Sequence, residues 1–438
     1  MTELTTPPST PRAKVRRLAD VDVLRGFALF GILMVNSTYL ASAHHGTGLE
    51  DPGFDSAVDE AARYLVAVFF EAKFYLLFSF LFGYSFTLQL ASAERDGARF
   101  LPRFLRRCAG LFALGAFHAV ILFPGDILTT YAVLGLVLLA VRRVRPRTAV
   151  RTAIGLFTVT AAGYLLLAFA QHTAGGPGFD PDAAAAHAQR ATEALRGSPG
   201  SVIAAHLEQL PDVAFLLAFF QAPAAFAAFL LGLAAGRNNA LADVTRHQAL
   251  LRRLQWTGFT VGLAGAVTYA HTSAEHPGTA YQLLGLGIDV ITAPLLAAAY
   301  AATLLRLLST LRGRRLAGAL APAGRMTLTN YLTQSLVLAL LFTGYGAGLV
   351  GHLPPPAVAA LALTLFAAQL TLSRYWLRHH PYGPAEWLLR AITLARRPPW
   401  HHRTADPADP GGRCSGGGVT SGGTPGRHGW RRRRRPRT

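Results

Sequence analysis

The sequence predicts an all-α fold, a polytopic membrane bundle of about ten transmembrane helices with both termini cytoplasmic (N-in/C-in). Three observations predict it. Of the 438 residues 51% are hydrophobic and only 15% charged, against about 25% charged in a soluble domain. Apolar stretches recur along the whole chain, which excludes an ordinary cytosolic enzyme and also a single cleaved signal segment. The basic residues gather in every second connection between those stretches, as short cytoplasmic loops require.

A helix crossing about 30 Å of hydrocarbon needs ~20 mostly apolar residues, because every backbone polar group must be satisfied within the segment. Ten segments meet or approach that length: 23–43, 64–90, 104–123, 127–141, 152–171, 212–235, 254–271, 282–305, 327–345 and 357–376. The third and fourth are separated by little more than Pro124-Gly125-Asp126, so they form a tight helical hairpin. With the N-terminus inside, 38 of the 42 Lys and Arg fall on the cytoplasmic side, the exceptions being Arg63, Lys73, Arg190 and Arg196. The loop after the first segment is acidic instead, with Glu50, Asp51, Asp55, Asp59 and Glu60.

The longest outer loop, 172–211, divides the chain into two five-helix halves, 18–171 and 212–397, between which no sequence repeat is evident. Its Ala-rich centre, Pro181 to Leu195, reads as a surface helix capped by Asp180. Residues 1–17 and 398–438 are rich in Pro, Gly, Ser, Thr and Arg and are expected to be disordered, because they have too little apolar area to offset ordering entropy. The C-terminal tail also explains much of the +19 net charge: residues 401–438 carry nine Arg against Asp406 and Asp409. The remaining excess lies in the loops between spans, so the charge reflects a lipid bilayer as partner and not nucleic acid. Two cysteines, Cys108 and Cys414, exclude a disulfide framework and a thiolate metal cluster.

An ionisable side chain inside lipid costs about 2.5–3.5 kcal/mol, so each needs a partner, a wet cavity or a chemical task. Glu71, Lys73, His118, Asp126 and Asp289 are the informative set. Counting 1.5 Å per residue from the nearest cytoplasmic Arg puts His118 about 16 Å deep, Asp126 about 28 Å and Asp289 about 26 Å, with Glu71 and Lys73 in the outer third. Lys73 stands out because the chain holds forty Arg and only one other Lys, Lys14; a compact, pKa-shiftable amine suits an anchor or proton carrier. Glu71 and Lys73 are two apart and do not face one another on a regular helix, so they have separate partners or the helix breaks there. His118 is a neutral hydrogen-bonded core histidine or else a general base or proton relay oriented by Asp126 or Glu71. With no second His at i+3 or i+4 it is not a metal ligand.

On the cytoplasmic side Asp22, Arg25 and Asn36 share one face of the first helix, either as a structural ion pair or as an entry path for an anion, joined by Arg103, Arg106 and Arg107. Cys108 beside them reads as a small core residue, and Asn330 and Gln334 as hydrogen-bonding links between helices.

The stretch from Asp22-Val-Leu-Arg25-Gly26 through Asn36, then Glu71-Ala-Lys73-Phe74-Tyr75, Phe78-Ser79, Phe82-Gly83, and His118 followed by Gly125-Asp126-Ile127-Leu128 and Tyr131-Ala132, resembles the YeiB-like bacterial inner-membrane family. Gly324-Arg325-Met326-Thr327-Leu328-Thr329-Asn330-Tyr331 and Tyr382-Gly383-Pro384-Ala385-Glu386-Trp387 resemble that family's domain of unknown function 418. The resemblance covers about residues 18–397 and implies a multi-pass protein of the bacterial cytoplasmic membrane. The Asp-Val-Leu-Arg-Gly opening is also similar to heparan-glucosaminide N-acetyltransferase-type membrane enzymes. By analogy that implies transfer of an acyl group from a cytoplasmic thioester, an acyl-coenzyme A, to a small-molecule, lipid or glycan acceptor, with a membrane His as base. His118 and the pair His44-His45 compete for that role.

Three functions follow from these residues. As an acyltransferase, His118 is the base, Glu71 or Asp126 its orienter and Lys73 an anion stabiliser, while Arg25, Arg103, Arg106 and Arg107 hold the donor phosphates. As a proton-coupled transporter, Asp289, Glu71 and His118 exchange protons while access alternates, and Gly-rich segments such as Gly344 to Gly348 ease the movement. As an envelope scaffold, the buried charges are static pairs. Both active readings expect Glu71, Lys73, His118 and Asp289 to open into one shared wet chamber.

Overall fold

Hydrocarbon offers the backbone no water, so apolar stretches of this chain close their hydrogen bonds as helices. The computed structural model describes residues 11–402 except 48, 50, 96, 98, 175–179, 242, 243, 245 and 246; the outer parts of the two expected tails, 1–10 and 403–438, lie outside the described residues. The described chain is helix and turn, without strands. Its helices are α1 (Pro11–Ala41), α2 (Ala57–Phe69), α3 (Lys73–Arg95), α4 (Phe100–Ile121), α5 (Ile127–Ala140), α6 (Pro146–Ala174), α7 (Pro181–Arg196), α8 (Pro199–Leu216), α9 (Ala222–Arg237), α10 (Gln248–Thr257), α11 (Leu263–Glu275), α12 (Ala280–Leu307), α13 (Leu311–Arg325), α14 (Thr327–Phe342), α15 (Pro355–His379) and α16 (Pro384–Leu394). Short π-helical turns, Leu217–Gln221 and Gly258–Gly262, join α8 to α9 and α10 to α11.

Seven segments have the length and composition to cross a bilayer: Ala19–Ala41, Ala57–Arg95, Phe100–Ile121, Pro146–Thr173, Pro199–Arg237, Ala280–Leu307 and Pro355–His379. Two shorter apolar helices, Ile127–Ala140 and Thr327–Phe342, accompany them. The remaining expected span, 254–271, falls on the α10–α11 rod. Large apolar side chains point outward along these helices, Val159 at 71%, Leu166 at 68% and Phe169 at 66% exposure on α6. That is the pattern of a surface meeting lipid, where outward apolar groups carry no penalty.

Helix α1 lies at the centre. Val23, Leu24, Ala28 and Leu33 are fully buried, because α3, α13, α14 and α15 surround it. A helix apolar on all sides must be enclosed in this way. Helices α3 and α9 form the most extensive helix pair, and α12 bridges α6, α11 and α3. The α4–α5 hairpin turns at Pro124–Asp126 as the sequence predicts, and α16 lies against α4. Helix α7 starts at Pro181, its N-terminus capped by the Asp180 carboxylate, which accepts from the Asp182 and Ala183 N–H at 3.1 Å.

Where α3 and α9 touch, small residues let the backbones meet, the usual packing solution inside a membrane. A Cβ on Gly232 would run into the Phe80 carbonyl oxygen and the Tyr84 amide nitrogen. Gly232→Val should therefore cost about 1–3 kcal/mol as overpacking, seen as a lower melting temperature of the purified protein in detergent; an unchanged melt would deny the contact.

Candidate functional site

The polar groups fall into three clusters. The first forms where the second apolar rod breaks. Between α2 and α3 the chain passes through Ala72 at φ +64°, a left-handed conformation uncommon for a residue with a Cβ. The break turns Glu71 and Lys73 to different partners. The Glu71 carboxylate accepts from the Tyr269 hydroxyl at 2.7 Å, and its other oxygen lies 3.5 Å from His45 Nε2. Lys73, with no exposed surface, donates to the Ala67 carbonyl at 3.2 Å, pairs with Asp289 at 3.4 Å and sits 5.6 Å over the Tyr269 ring. Its ammonium thus satisfies a carbonyl left open by the end of α2, where a cation is favoured. His44, next to His45, lies 3.0 Å from Asp51.

The second cluster is buried between α4, α5 and α14. The Asp126 carboxylate caps α5, one oxygen accepting from the Thr129 N–H at 2.7 Å. The other oxygen approaches His118 Nδ1 to 3.0 Å but off the N–H line, so neither atom has an aligned hydrogen bond. On the far side of the ring, His118 Nε2 lies 2.8 Å from Ser335 Oγ. Asp126, His118 and Ser335 are 1%, 0% and 2% exposed. The depth expected for Asp126 needs correction. Linear counting along α4 put it at the outer edge, yet the hairpin turn folds back so that its carboxylate packs against the backbone of Gly115. Gly115 lies eight residues past Arg107, which makes Asp126 about 12 Å deep on that count, within one turn of His118. Only glycine leaves room there for the carboxylate and the Thr129 amide.

The third feature is a cavity of about 540 Å³. Its mouth carries Arg25, Arg103, Arg107, Arg325, Arg390 and Arg396, and its deeper wall is Phe78, Phe82, Leu111, Leu128, Tyr131 and Tyr331. Arg25 is held by Asp22 at 2.9 Å and donates to Ser85 Oγ at 2.5 Å. Among the described residues none of the other five arginines has a carboxylate within ion-pair distance, and the buried Nε of Arg107 has no hydrogen-bond partner. The one acid in the wall, Glu386, is already engaged: it accepts from the Leu328 and Thr329 N–H at 2.6 and 3.1 Å and from the Thr329 hydroxyl at 2.5 Å, capping α14. Burial pushes the Glu386 carboxyl above its ordinary range, against the opposing pull of those hydrogen bonds.

Tyr331 joins the second cluster to the cavity. It lines the inner end, and its ring lies 4.9 Å from that of His118. Asn330 and Gln334, on the neighbouring face of α14, fix that helix by bonding Ser373 at 2.9 Å and Gln369 at 2.7 Å on α15.

The residues singled out in the sequence are thus divided. Arg25, Arg103 and Arg107 meet at the cavity, with Asp22 behind Arg25, whereas Arg106 is exposed and outside it and Asn36 is half-buried and outside it. His118 and Asp126 meet each other. Glu71, Lys73 and Asp289 meet where α2 gives way to α3; among the described residues no hydrogen bond or ion pair ties them to His118, and none of these four lines the cavity. Ser335, Tyr331, Glu386, Arg325, Arg390 and Arg396 were not foreseen as site residues. Buried His206 was also missed; its Nδ1 donates to the Val120 carbonyl at 3.0 Å.

Fold and site define a helical membrane protein with a basic cavity that ends beside a buried Ser–His–Asp contact. The chain belongs to the YeiB-like DUF418 family. Residues 235–396 match the family described as "Protein of unknown function (DUF418)". Over 402 residues it is 33% identical to "Uncharacterized protein YxaH" of Bacillus subtilis (strain 168), covering 87% of this chain and 96% of that protein. "Uncharacterized protein YeiB" of Escherichia coli (strain K12) is 27% identical over 412 residues, covering 89% and 100%.

The outer pair gives a direct test. Lys73→Met leaves Asp289 unpaired in lipid and should cost about 3–5 kcal/mol, measured as thermal unfolding in detergent. Lys73→Met with Asp289→Leu should recover most of that loss. If the double variant is no better than the single, the two do not form a pair.

Proposed function

We propose that this protein of the bacterial inner membrane, with both termini cytoplasmic, transfers an acyl group from a phosphate-bearing thioester donor to a small-molecule, lipid or glycan acceptor. The observation that carries this is the cavity: a cluster of arginines of which, among the described residues, Arg25 alone has a carboxylate within ion-pair distance, an apolar wall, and His118 next to Tyr331 of that wall. Guanidinium forks bind phosphates in bidentate fashion and hold charge at any physiological pH. Arg25, Arg103, Arg107, Arg325 and Arg390 would hold the donor's phosphates, and the aromatic and leucine wall would receive its apolar end. An acyl-coenzyme A has that chemistry.

His118 is the base in this reading and Asp126 its orienter, held in place by its cap on α5. Apo contacts of catalytic groups are often poorly aligned and tighten with substrate, which fits the off-line Asp126 approach. Glu71 and Lys73, assigned orienter and anion stabiliser from sequence alone, are occupied on the outer side and act here as a brace for the broken rod. Proton-coupled transport is the second reading, favoured by one observation: a discontinuous helix with a buried ion pair at the break, a common arrangement in transporter binding sites.

Acetyl- and octanoyl-coenzyme A should bind the full-length protein in nanodiscs, more weakly as salt rises. Arg107→Ala and Arg103→Ala should each weaken binding about tenfold, or ~1.4 kcal/mol. His118→Ala should leave binding intact and slow acyl release by about 10²–10⁴. Absence of binding, or binding indifferent to both arginines, would sink the donor assignment, and proton flux into proteoliposomes would then favour transport.

A further inference from the structure

We propose that Ser335 is a nucleophile, so that transfer runs through an acyl-serine within the membrane and not by direct passage from donor to acceptor. This rests on the acyl-transfer reading for its donor.

Three observations support it. First, Asp126 Oδ1, His118 Nδ1, His118 Nε2 and Ser335 Oγ form a sequence of contacts at 3.0 and 2.8 Å. That is the order and reach in which a carboxylate orients an imidazole and the imidazole takes a proton from a hydroxyl. Second, the Ser335 hydroxyl does not do what hydroxyls on buried helices usually do. Ser85, Thr343 and Thr292 each donate to the carbonyl four residues earlier. Ser335 has no such bond among the described residues; its one hydrogen bond goes to His118, from a helix more than two hundred residues away in sequence. Third, Ser335 is reached from the cavity along a single helix face. Leu328 and Tyr331 line the cavity, and Ser335 follows Tyr331 by four residues, one turn or about 5.4 Å further in on the same face. The Tyr331 side chain is the barrier between them, so a rotation about its χ1 opens the path.

The chemistry balances without a metal or redox partner. His118 Nε2 takes the Ser335 proton as Oγ attacks the thioester carbonyl. The carbon–sulfur bond breaks, the thiolate takes the proton from the imidazolium, and a serine ester remains. An acceptor hydroxyl or amine then attacks that ester with His118 again as base. The serine oxygen leaves and recovers the proton. Asp126 stabilises the imidazolium in both halves. Closing off the triad keeps water from the ester, and the arginines hold the departing thiol's phosphates on the cytoplasmic side.

A serine-directed probe tests the nucleophile independently of the donor. Full-length protein in nanodiscs is treated with an alkyl fluorophosphonate, and in parallel with labelled acetyl-coenzyme A without acceptor, and peptides are read by mass spectrometry. The expected result is one phosphonyl adduct and one acetyl ester, both on Ser335. Both should be absent in Ser335→Ala and slowed by about a hundredfold or more in His118→Ala. No phosphonyl adduct on Ser335 of the parent protein overturns the proposal, as does a Ser335→Ala variant that transfers acyl groups within about threefold of the parent rate. The latter result, with His118→Ala inactive, leaves direct transfer standing. A phosphonyl adduct on Ser335 in a protein that neither binds nor uses acetyl-coenzyme A upholds the nucleophile and removes the donor instead.

Discussion

Hydrocarbon supplies no hydrogen-bond partner and little dielectric screening, so every polar side chain between the lipid faces has to find its partner within the protein. In this molecule that constraint organises the interior. Lys73 reaches both a carboxylate and a helix-terminal carbonyl, Glu71 is bonded by a tyrosine and approached by a histidine, and Asp126 divides its two oxygens between a helix N-terminus and an imidazole. The bundle core around α1 is then mostly apolar, its buried polar side chains such as Asn330, Gln334 and Gln369 bonded to one another or to backbone. Satisfaction is not complete: the buried Nε of Arg107 at the cavity wall has no hydrogen-bond partner, nor do His118 Nδ1 and Asp126 Oδ1 have an aligned one, and an unsatisfied buried group in a native structure calls for an explanation.

The cavity and the buried trio are connected mechanically through α14. Its first turn is capped by Glu386 from α16, its middle is bonded to α15 by Asn330 and Gln334, and its inner face presents Tyr331 and Ser335 to α4. The same short helix therefore touches Glu386 and Tyr331 of the cavity wall and His118. Displacement of α16, whose Glu386, Leu389 and Arg390 form one cavity wall with the preceding Tyr382, would loosen the α14 cap at the same time. Entry of a ligand and the setting of the residues behind Tyr331 are in this way coupled by two helices in direct contact, with no longer pathway needed.

Much of the fold was legible because apolar length is a local property. The ten apolar stretches fall largely on helix, the second interrupted at Ala72, the Pro124–Asp126 turn closes its hairpin, and Asp180 caps α7. Within the polar clusters, spacing alone told that Glu71 and Lys73 do not face one another, and that Asn330 and Gln334 link helices. What spacing could not tell was which charges meet across the bundle. Depth counted along one helix fails where the chain doubles back, as Asp126 demonstrates. Ser335 gave no signal, since a serine amid Gln334 and Leu336 looks like any other small residue and acquires meaning only from a histidine on α4. Arg325, Arg390 and Arg396 were read as loop charges, which they are by sequence, until α13 and α16 folded over the cavity mouth.

Burial of the trio poses a difficulty for any reaction there, and the structure contains its resolution. A hydroxyl with 2% exposure cannot meet a substrate as it stands, yet a serine ester would last only where water is excluded. Both demands are met when the barrier is one aromatic side chain and not a backbone. Tyr331 would be such a barrier in the acyl-serine proposal: it lines the cavity and is anchored on a helix pinned at its cap and by α15, while its ring contacts His118 without bonding to it. A side-chain rotation takes far less time than a helix movement and leaves the Asp126–His118 geometry undisturbed. The rigid parts of α14 thus keep the reacting groups in register, and the only element required to move is the one that separates them from the arginine-lined cavity.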